Sequence, residues 1–279
     1  MYEASILIST NSGKTAKEIK RRVPESWNEL TRRQLVRIIA ATISIKNKSQ
    51  YQLAIVSTLL DIPAKLVLAI PAASVYQVYY TASFIEAETK ELTAQLLPWV
   101  KIPGCFNRKY YGPRERLRNI SFLEFIFADT YFIHYTQNQE EELLNKFIAC
   151  LYRERTWCHF IKRKLPNYSG DIRQPFNENL IEERARLLAK LPVEEKFAIL
   201  TWYRGCRDYL EKEYPHVFSS DNQEKASKSG WDSVLRSMSQ GVHTIDATGR
   251  VLIGNVLGVM EDRAIEIEEY ERKNQNNEK

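Results

Sequence analysis

Two consecutive amphipathic helices are encoded between Ser121 and Arg155, and this stretch constrains the fold more than any other part of the chain. In its second half, apolar residues recur at i, i+1, i+4, i+5, i+8 and i+9 from Leu143 to Tyr152, which is the period of a helix with one buried face. Asn138 is the predicted N-cap of this second helix. Two adjacent amphipathic helices with a short connection predict a helical hairpin.

Asp129 falls in the middle of the apolar stripe of the first predicted helix, whereas Glu124 falls on the opposite side. A buried carboxylate costs several kcal/mol unless it is paired. Arg184 and Arg204 occupy similar positions among apolar residues of later helices. We therefore predict a structural ion pair between Asp129 and Arg184 or Arg204. A partly exposed helix edge and an acid with a perturbed pKa in a cleft are the alternatives.

The composition fits a folded helical protein of ordinary hydrophobicity. Ten glycines in 279 residues disfavour turn-rich β architectures, and a net charge of +5 is only mildly basic. No apolar run reaches the roughly 18 residues of a membrane helix, so no membrane partner is expected. The four cysteines have neither metal nor disulfide spacing, and the histidines are scattered, so we predict free thiols, no metal site and no cofactor. The cysteines are Cys105, Cys150, Cys158 and Cys206.

The order of segments predicts a mainly α protein with four regions. The N-terminal arm contains a short strand or extended segment at Ala4 to Ile8, and the first firm helix begins with a capping box of Thr31 and Gln34. The linker is polar and small, as flexible connections are. The predicted regions are an N-terminal arm (1–22), a multi-helix globular body (23–218), a linker (219–229) and a C-terminal helical hairpin with a polar tail (230–279).

A short irregular insert interrupts the body between Leu97 and Asn119, because three prolines and two glycines prevent a continuous helix. A β-ribbon between Val100 and Tyr111 is one form that this insert can take. Its mixture of basic and aromatic residues is typical of single-stranded nucleic-acid binding. A basic, partly ordered protein-docking loop fits just as well. The alternative without a binding function is a solvated connector whose tyrosines pack on the body. The candidate partner-binding residues are Arg108, Lys109, Tyr110, Tyr111, Arg114 and Arg116.

Several short motifs follow one another in a characteristic order. They are P-x-x-W-x-E-L-T-x-x-Q-L from Pro24 to Leu35, L-L-P from Leu96, Y-G-P from Tyr111, F-x-E-F-x-x-A-D-x-Y from Phe122, C-L-Y-R from Cys150 and a lone Trp231 after the linker. This order resembles a group of uncharacterised helical proteins encoded in phages and prophages of gut bacteria, over most of residues 23 to 260. The group in turn resembles tail assembly chaperones, which bind the long tape-measure chain before the tail tube forms. None of the motifs is catalytic.

The resemblance implies a non-enzymatic phage tail assembly or accessory protein that binds other proteins through apolar helical surfaces. Its partners would be phage structural or tail proteins, in the cytoplasm of the bacterial host or in the virion. The alternative is a nucleic-acid-associated phage protein that uses residues 108–118 and the basic run 162–164, with salt-dependent binding. An enzyme is a third hypothesis, but no combination of nucleophile, base and orienting group is visible in the sequence.

Overall fold

The chain forms two compact units, and each unit consists of two separate stretches of the sequence. The first unit comprises Met1–Leu96 and Pro192–Cys206, and the second comprises Leu97–Leu191 and Arg207–Lys279. The computed structural model describes residues 2–9, 16–87, 91–104, 108–157, 159–162, 170–218, 231, 233–239, 241 and 244–277. The predicted linker, 219–229, lies outside these residues.

Helices dominate both units, which confirms the mainly α fold class. In the first unit, a hairpin and a short 3-10 turn at Trp27–Glu29 precede five helices. These elements are β1 (Tyr2–Ser9), β2 (Ala16–Val23), α1 (Arg32–Ser44), α2 (Lys48–Leu60), α3 (Ala64–Val67), α4 (Ala72–Thr81) and α5 (Ser83–Glu86).

The N-terminal region is a regular antiparallel hairpin and not only an arm with one short strand. The register of β1 and β2 runs from Tyr2 opposite Val23 to Ser9 opposite Ala16. The second strand, AKEIKRRV, is mostly polar. It therefore lacks the alternation of apolar and polar residues that identifies a half-buried strand.

The start of α1 follows the sequence prediction closely. Thr31 caps the helix and Gln34 completes the capping box with both reciprocal hydrogen bonds. Just before it, the indole nitrogen of Trp27 donates to the carbonyl oxygen of Phe84 at 2.9 Å. The tryptophan of the first motif is thus a buried anchor between the start of α1 and α5.

The second unit contains a two-stranded ribbon, a central helical hairpin and the C-terminal helices. Its elements are β3 (Trp99–Lys101), β4 (Lys109–Tyr111), α6 (Phe122–Asn138), α7 (Glu141–Leu151), α8 (His159–Lys162), α9 (Ile181–Leu188), α11 (Ile245–Gly249) and α12 (Ile253–Asn277). Helix α10, Val193–Glu213, supplies residues to both units. The ribbon confirms the β form of the insert.

Helices α6 and α7 form the predicted hairpin, but with a different connection. Gln139 adopts a left-handed conformation with φ of 58° and ends α6, as residues after a helix often do. Asn138 is therefore the last residue of α6, and Glu140 is the N-cap of α7. The prediction that Asn138 caps the second helix is wrong.

The segment after the predicted linker belongs to the second unit and is not a separate hairpin domain. The backbone N–H of Phe122 donates to Val251 at 2.8 Å, and that of Ile253 donates to Ile120 at 3.1 Å. The Trp231 ring contacts the Phe125 ring edge-on, with centroids 5.2 Å apart. The compact units thus differ from the predicted division into a body and a C-terminal hairpin.

Candidate binding surfaces

Asp129 is fully buried and paired, as its position on the apolar stripe predicted, but its partner is Arg207. Its Oδ1 accepts from Nε of Arg207 at 2.9 Å, and its Oδ2 accepts from the indole N–H of Trp231 at 2.9 Å. The predicted pairing with Arg184 or Arg204 is wrong. Arg204 is exposed, whereas Arg207 lies three residues further along α10, on a neighbouring part of the helix surface.

Glu124 is buried too, although it lies opposite the apolar stripe of α6. Its two carboxylate oxygens lie 3.0 Å from the guanidinium of Arg153 and 2.6 Å from that of Arg173. Asp171 completes the cluster, 2.8 Å from Arg173. Two carboxylates therefore balance two guanidinium groups. Burial lowers the pKa of Arg153, and the attraction of Glu124 opposes that effect.

This cluster connects the start of α6, the end of α7 and the segment around Arg173. Arg173 also donates to the backbone oxygens of Leu151 and Asn119, at 2.9 and 3.0 Å. All three guanidinium nitrogens of Arg173 donate to groups of the protein itself, so the cluster fits a structural role. The cluster could not be predicted from local patterns, because its members come from three separated segments.

Metal-binding side chains do not gather in the part of the chain that the structure describes. No group of three histidine, cysteine or acidic side chains there could hold a metal ion. Cys150 and Cys206 are free thiols and buried. Burial raises the pKa of Cys150, which disfavours the nucleophilic thiolate. Cys105 and Cys158 lie outside the described residues. No helix among those residues is long and apolar enough to cross a membrane.

Several of the predicted partner-binding residues are used inside the second unit. Tyr110 is buried, and burial raises its pKa to about 12. Its hydroxyl donates to Glu154 at 3.3 Å, and Nε of Arg108 lies 3.0 Å from the same carboxylate. Tyr110 therefore cannot stack on a partner, and the charge of Arg108 is largely balanced.

Two further arginines of this segment make contacts within the second unit. Arg114 donates to the carbonyl oxygen of Gly170 at 2.8 Å. The Arg116 guanidinium lies 4.8 Å from the centre of the Tyr209 ring, a distance typical of a cation–π contact. Both side chains remain exposed to solvent. The second basic stretch named in the sequence analysis is 162–164, and its residues 163 and 164 lie outside the described residues.

The outer face of the β3–β4 ribbon carries the other two predicted residues, Lys109 and Tyr111, and adds two that were not predicted. Trp99 pairs directly with Tyr111, and Lys101 pairs directly with Lys109. The residues between them, Val100 and Tyr110, point into the core. The lysine nitrogens lie 4.7 Å (Lys109) and 5.9 Å (Lys101) from the centre of the Trp99 ring. We call these four side chains the ribbon face.

The first unit exposes four large side chains of apolar character, two at or just after α3 and two on α4. Leu68 is 74% exposed, Tyr76 is 70% exposed and Tyr80 is 72% exposed. Leu66, two residues before Leu68, is exposed as well. We call these four side chains the apolar surface. Between Ile62 and Ile85 the only charged residue is Lys65. The exposed positions of this segment therefore carry one charge among them, which is unusual for a solvated face.

A groove between α1 and α2 leads to the start of α3. It has a volume of about 690 Å³, and Pro63 and Ala64 lie at its end towards α3. Its lining is rich in alanine and serine, with Arg33 and Arg37 on one side. Both guanidinium groups approach the same oxygen of Asp61, at 3.6 and 3.5 Å. Two positive charges therefore face one negative charge at the edge of the groove.

No protein-family model matches this chain, and neither the curated proteins nor the solved structures provide a match. Function is therefore inferred from the apolar surface and the groove.

Proposed function

We propose that the chain is a non-enzymatic phage or prophage tail assembly or accessory protein, and that its apolar surface binds an amphipathic helix of a partner protein. The observation that carries the proposal is the exposure of Leu66, Leu68, Tyr76 and Tyr80 within a segment that has a single charge. Large apolar side chains that stay exposed within one short segment are candidates for an interaction site in a soluble protein. Tyrosine is also among the residues that contribute most to binding energy at interfaces.

The shape of this region favours a helical partner. Tyr76 and Tyr80 are four residues apart on α4, so they form one ridge on its surface. The adjacent groove between α1 and α2 has a lining of small side chains that a helix can approach closely. Arg33 and Arg37 at its edge favour a partner helix with carboxylates beside its apolar face.

The phage context of the proposal comes from the order of motifs between Pro24 and Trp231. It makes phage structural or tail proteins the expected partners, and the host cytoplasm or the virion the expected location. Tail assembly chaperones bind the long tape-measure chain before the tail tube forms. A long helical tail protein is therefore the expected ligand of the apolar surface.

The proposal is tested by affinity purification of the tagged chain from cells that express the neighbouring phage genes. A helical tail protein should co-purify at low and high salt and after nuclease treatment. The double variant Tyr76→Ala, Tyr80→Ala should lose this partner. The matched control is Tyr270→Ala, which removes a tyrosine that is 68% exposed on α12, and it should retain the partner. Equal losses in both variants, or loss on nuclease treatment alone, would contradict the proposal.

A further inference from the structure

We propose that the distal part of α12 in one copy of the chain binds in the groove between α1 and α2 of a second copy. The distal part consists of residues 259–274, and the groove is the one with Arg33 and Arg37 at its edge. The inference rests on the proposed function in one respect, which is the capacity of the first unit to accept a helix. It names an occupant that the chain itself supplies.

The distal part of α12 is exposed on all sides in the chain that carries it. The helix is anchored at its beginning, where Ile253 and Val256 are buried. From Ile265 to Asn274, however, every side chain is exposed, a length of about three turns. Most helices in proteins are stabilised by the packing of one face against other elements. A partner that covers this stretch would supply that packing.

One side of the exposed stretch is apolar. Ile267 is 58% exposed and Tyr270 is 68% exposed, and residues three apart on a helix are neighbours on its surface. Ala264, one turn before Ile267, lies on the same side. Ile265 points away from Ile267, since two residues turn a helix by about 200°. We call Ile267 and Tyr270 the helix ridge.

Carboxylates flank the helix ridge. Residues 265–271, with the sequence IEIEEYE, contain four glutamates and no basic residue. Glu266 is one turn before Tyr270, and Glu271 is one turn after Ile267, so each lies beside the ridge. The distal part of α12 therefore has the character that the proposed function requires of a partner helix, with carboxylates beside its apolar face.

The other two glutamates of this stretch have long contacts within their own chain. Glu268 lies 3.9 Å from His216 and 3.8 Å from Arg272, and Glu269 lies 4.0 Å from Lys273. These pairs lie near the protein surface, where such pairs contribute little to stability. The negative charge beside the ridge therefore comes mainly from the two glutamates that flank it.

The edge of the groove carries the opposite charge. Arg33 and Arg37 share Asp61, at 3.6 and 3.5 Å, so two guanidinium groups face one carboxylate. Lys46 and Lys65 each follow a groove-lining residue directly in the sequence, and both are exposed. Opposite charges that meet across an interface steer association and fix the register of the partners. The glutamates beside the ridge therefore match the edge of the groove.

The interior of the groove suits the apolar side chains of the ridge. Its lining is rich in alanine and serine, and its volume is about 690 Å³. Small side chains allow the axis of a second helix to approach closely. Ile267 and Tyr270 can then enter the groove and leave water, which favours association.

Charge favours the groove over a second α12 as the site that receives the ridge. Pairing of two distal parts would bring the glutamates of both helices together, and like charges on neighbouring helices oppose association. The groove and the ridge are different surfaces, so their contact is heterologous. In a pair of copies one groove and one ridge stay free, and association therefore continues into a ring or an open chain.

The first experiment measures the mass of the full chain by sedimentation velocity over a range of protein concentrations. The mass should rise with concentration above the 32.6 kDa of one copy. The helix variant, Ile267→Ala with Tyr270→Ala, and the groove variant, Arg33→Glu with Arg37→Glu, should each weaken association by at least about tenfold. Urea unfolding tests whether each variant is folded, and Arg33→Gln with Arg37→Gln replaces the groove variant if it is not.

Each variant has a matched control. Ile265→Ala removes an exposed isoleucine from the other side of α12, and Arg236→Glu with Arg250→Glu reverses two exposed arginines of the second unit. Both controls should associate as the natural chain does. Equal losses in a variant and its control would overturn the inference, because they would show that the ridge or the groove edge is not the contact.

The second experiment mixes the helix variant with the groove variant. The helix variant keeps an intact groove and the groove variant keeps an intact ridge, so the mixture should form pairs that contain one copy of each. These pairs cannot extend, because the remaining groove and ridge are the altered ones. In a contact between two α12 helices, by contrast, the helix variant would have nothing to bind. A mixture that forms no such pairs would overturn the inference.

Failure of this inference and failure of the proposed function give different results. A mass of one copy at every concentration overturns the inference, whether the groove stays open or receives α12 of its own chain. The variant Tyr76→Ala, Tyr80→Ala should self-associate normally and lose the tail protein, whereas the helix variant should do the reverse. A chain that captures the tail protein but never self-associates would overturn this inference alone. A chain that self-associates but captures no tail protein would overturn the proposed function alone.

Discussion

Oε1 of Glu124 lies 2.6 Å from Nη1 of Arg173, and both side chains are buried although they are 49 residues apart in the chain. Arg153 approaches the other carboxylate oxygen. A charge in the core is stable only while its partners remain in place. The structure of the second unit should therefore depend strongly on this one glutamate.

Replacement of Glu124 by alanine should destabilise the protein by about 3 to 5 kcal/mol, since it leaves two buried guanidinium groups without their shared carboxylate. Urea unfolding measures the change. The control is Glu115→Ala, which removes the exposed pair with Arg118 at 3.1 Å and should cost less than about 1 kcal/mol. Similar costs for the two variants would show that the buried cluster is not a stabilising centre.

Asp129 and Arg207 should be energetically coupled. In a double-mutant cycle of Asp129→Ala with Arg207→Ala, we expect a coupling free energy of about 1 to 3 kcal/mol, because each side chain loses its partner in the single variants. The matched cycle uses Arg204→Ala, at an exposed position, and should be additive to within about 0.5 kcal/mol. Coupling to Arg204 instead of Arg207 would contradict the observed pairing.

His216 should make the stability of the second unit depend on pH. Its hydrogen bond to Glu261 raises the pKa of the imidazole above the usual 6.5, and Glu268 lies 3.9 Å from its other nitrogen. Burial alone would raise the pKa of Glu261, but hydrogen bonds from His216 and Val217 together lower it below 4.5. The histidine stabilises the fold below pH 6.5 and loses this effect as pH rises through its folded pKa. Glu261 stabilises the fold above pH 4.5, and this stabilisation is lost as the pH falls through the pKa of Glu261 in the folded protein.

The contribution of this pair should therefore be greatest between about pH 4.5 and 6.5. The measurement compares the free energy of unfolding of the natural chain with that of His216→Gln at about pH 5.5 and about pH 8.5. The difference between the two proteins should be larger at the lower pH. An equal difference at both values would show that the ion pair does not contribute.

Two glycine-to-alanine substitutions should change stability in opposite directions. A Cβ at Gly112 would lie 2.7 Å from the ring of Tyr152, which is buried and donates to the carbonyl oxygen of Leu97 at 2.7 Å. Gly112→Ala should therefore destabilise the protein by about 1 to 3 kcal/mol. Gly258 lies within α12 with nothing near its Cβ position. Gly258→Ala should stabilise by about 0.5 to 1 kcal/mol, and thermal unfolding measures both.

The helices could be predicted from sequence because their signals are local. The capping box of Thr31 and Gln34 and the apolar period of α7 each lie within a few residues, and both are found in the structure. The burial of Asp129 followed from its position on the stripe of α6. Its partner could not be chosen, since Arg204 and Arg207 lie one turn apart on the same helix.

The buried cluster and the ribbon face depend on contacts between residues that are far apart in the chain. Such contacts could not be predicted from local sequence patterns. Glu124 is buried only because Arg153 and Arg173, 29 and 49 residues later, enclose its carboxylate. The ribbon face depends on a register that places Lys101 opposite Lys109. A shift of one residue would send these lysines to the opposite side of the ribbon.

The discontinuity of the first unit has a consequence for the order in which the protein matures on the ribosome. Residues 192–206 belong to this unit, and the indole of Trp202 donates to the carbonyl oxygen of Thr93 at 3.3 Å. About 100 residues must be translated after Leu96 before this segment is synthesised, which takes about 5 to 20 s at about 5 to 20 residues per second. During that interval the nascent first unit lacks a part of its core, although the segment that follows Leu96 is already emerging. Ribosome-bound chains that end before Pro192 should therefore be more sensitive to protease within residues 20–96 than chains that extend beyond Cys206.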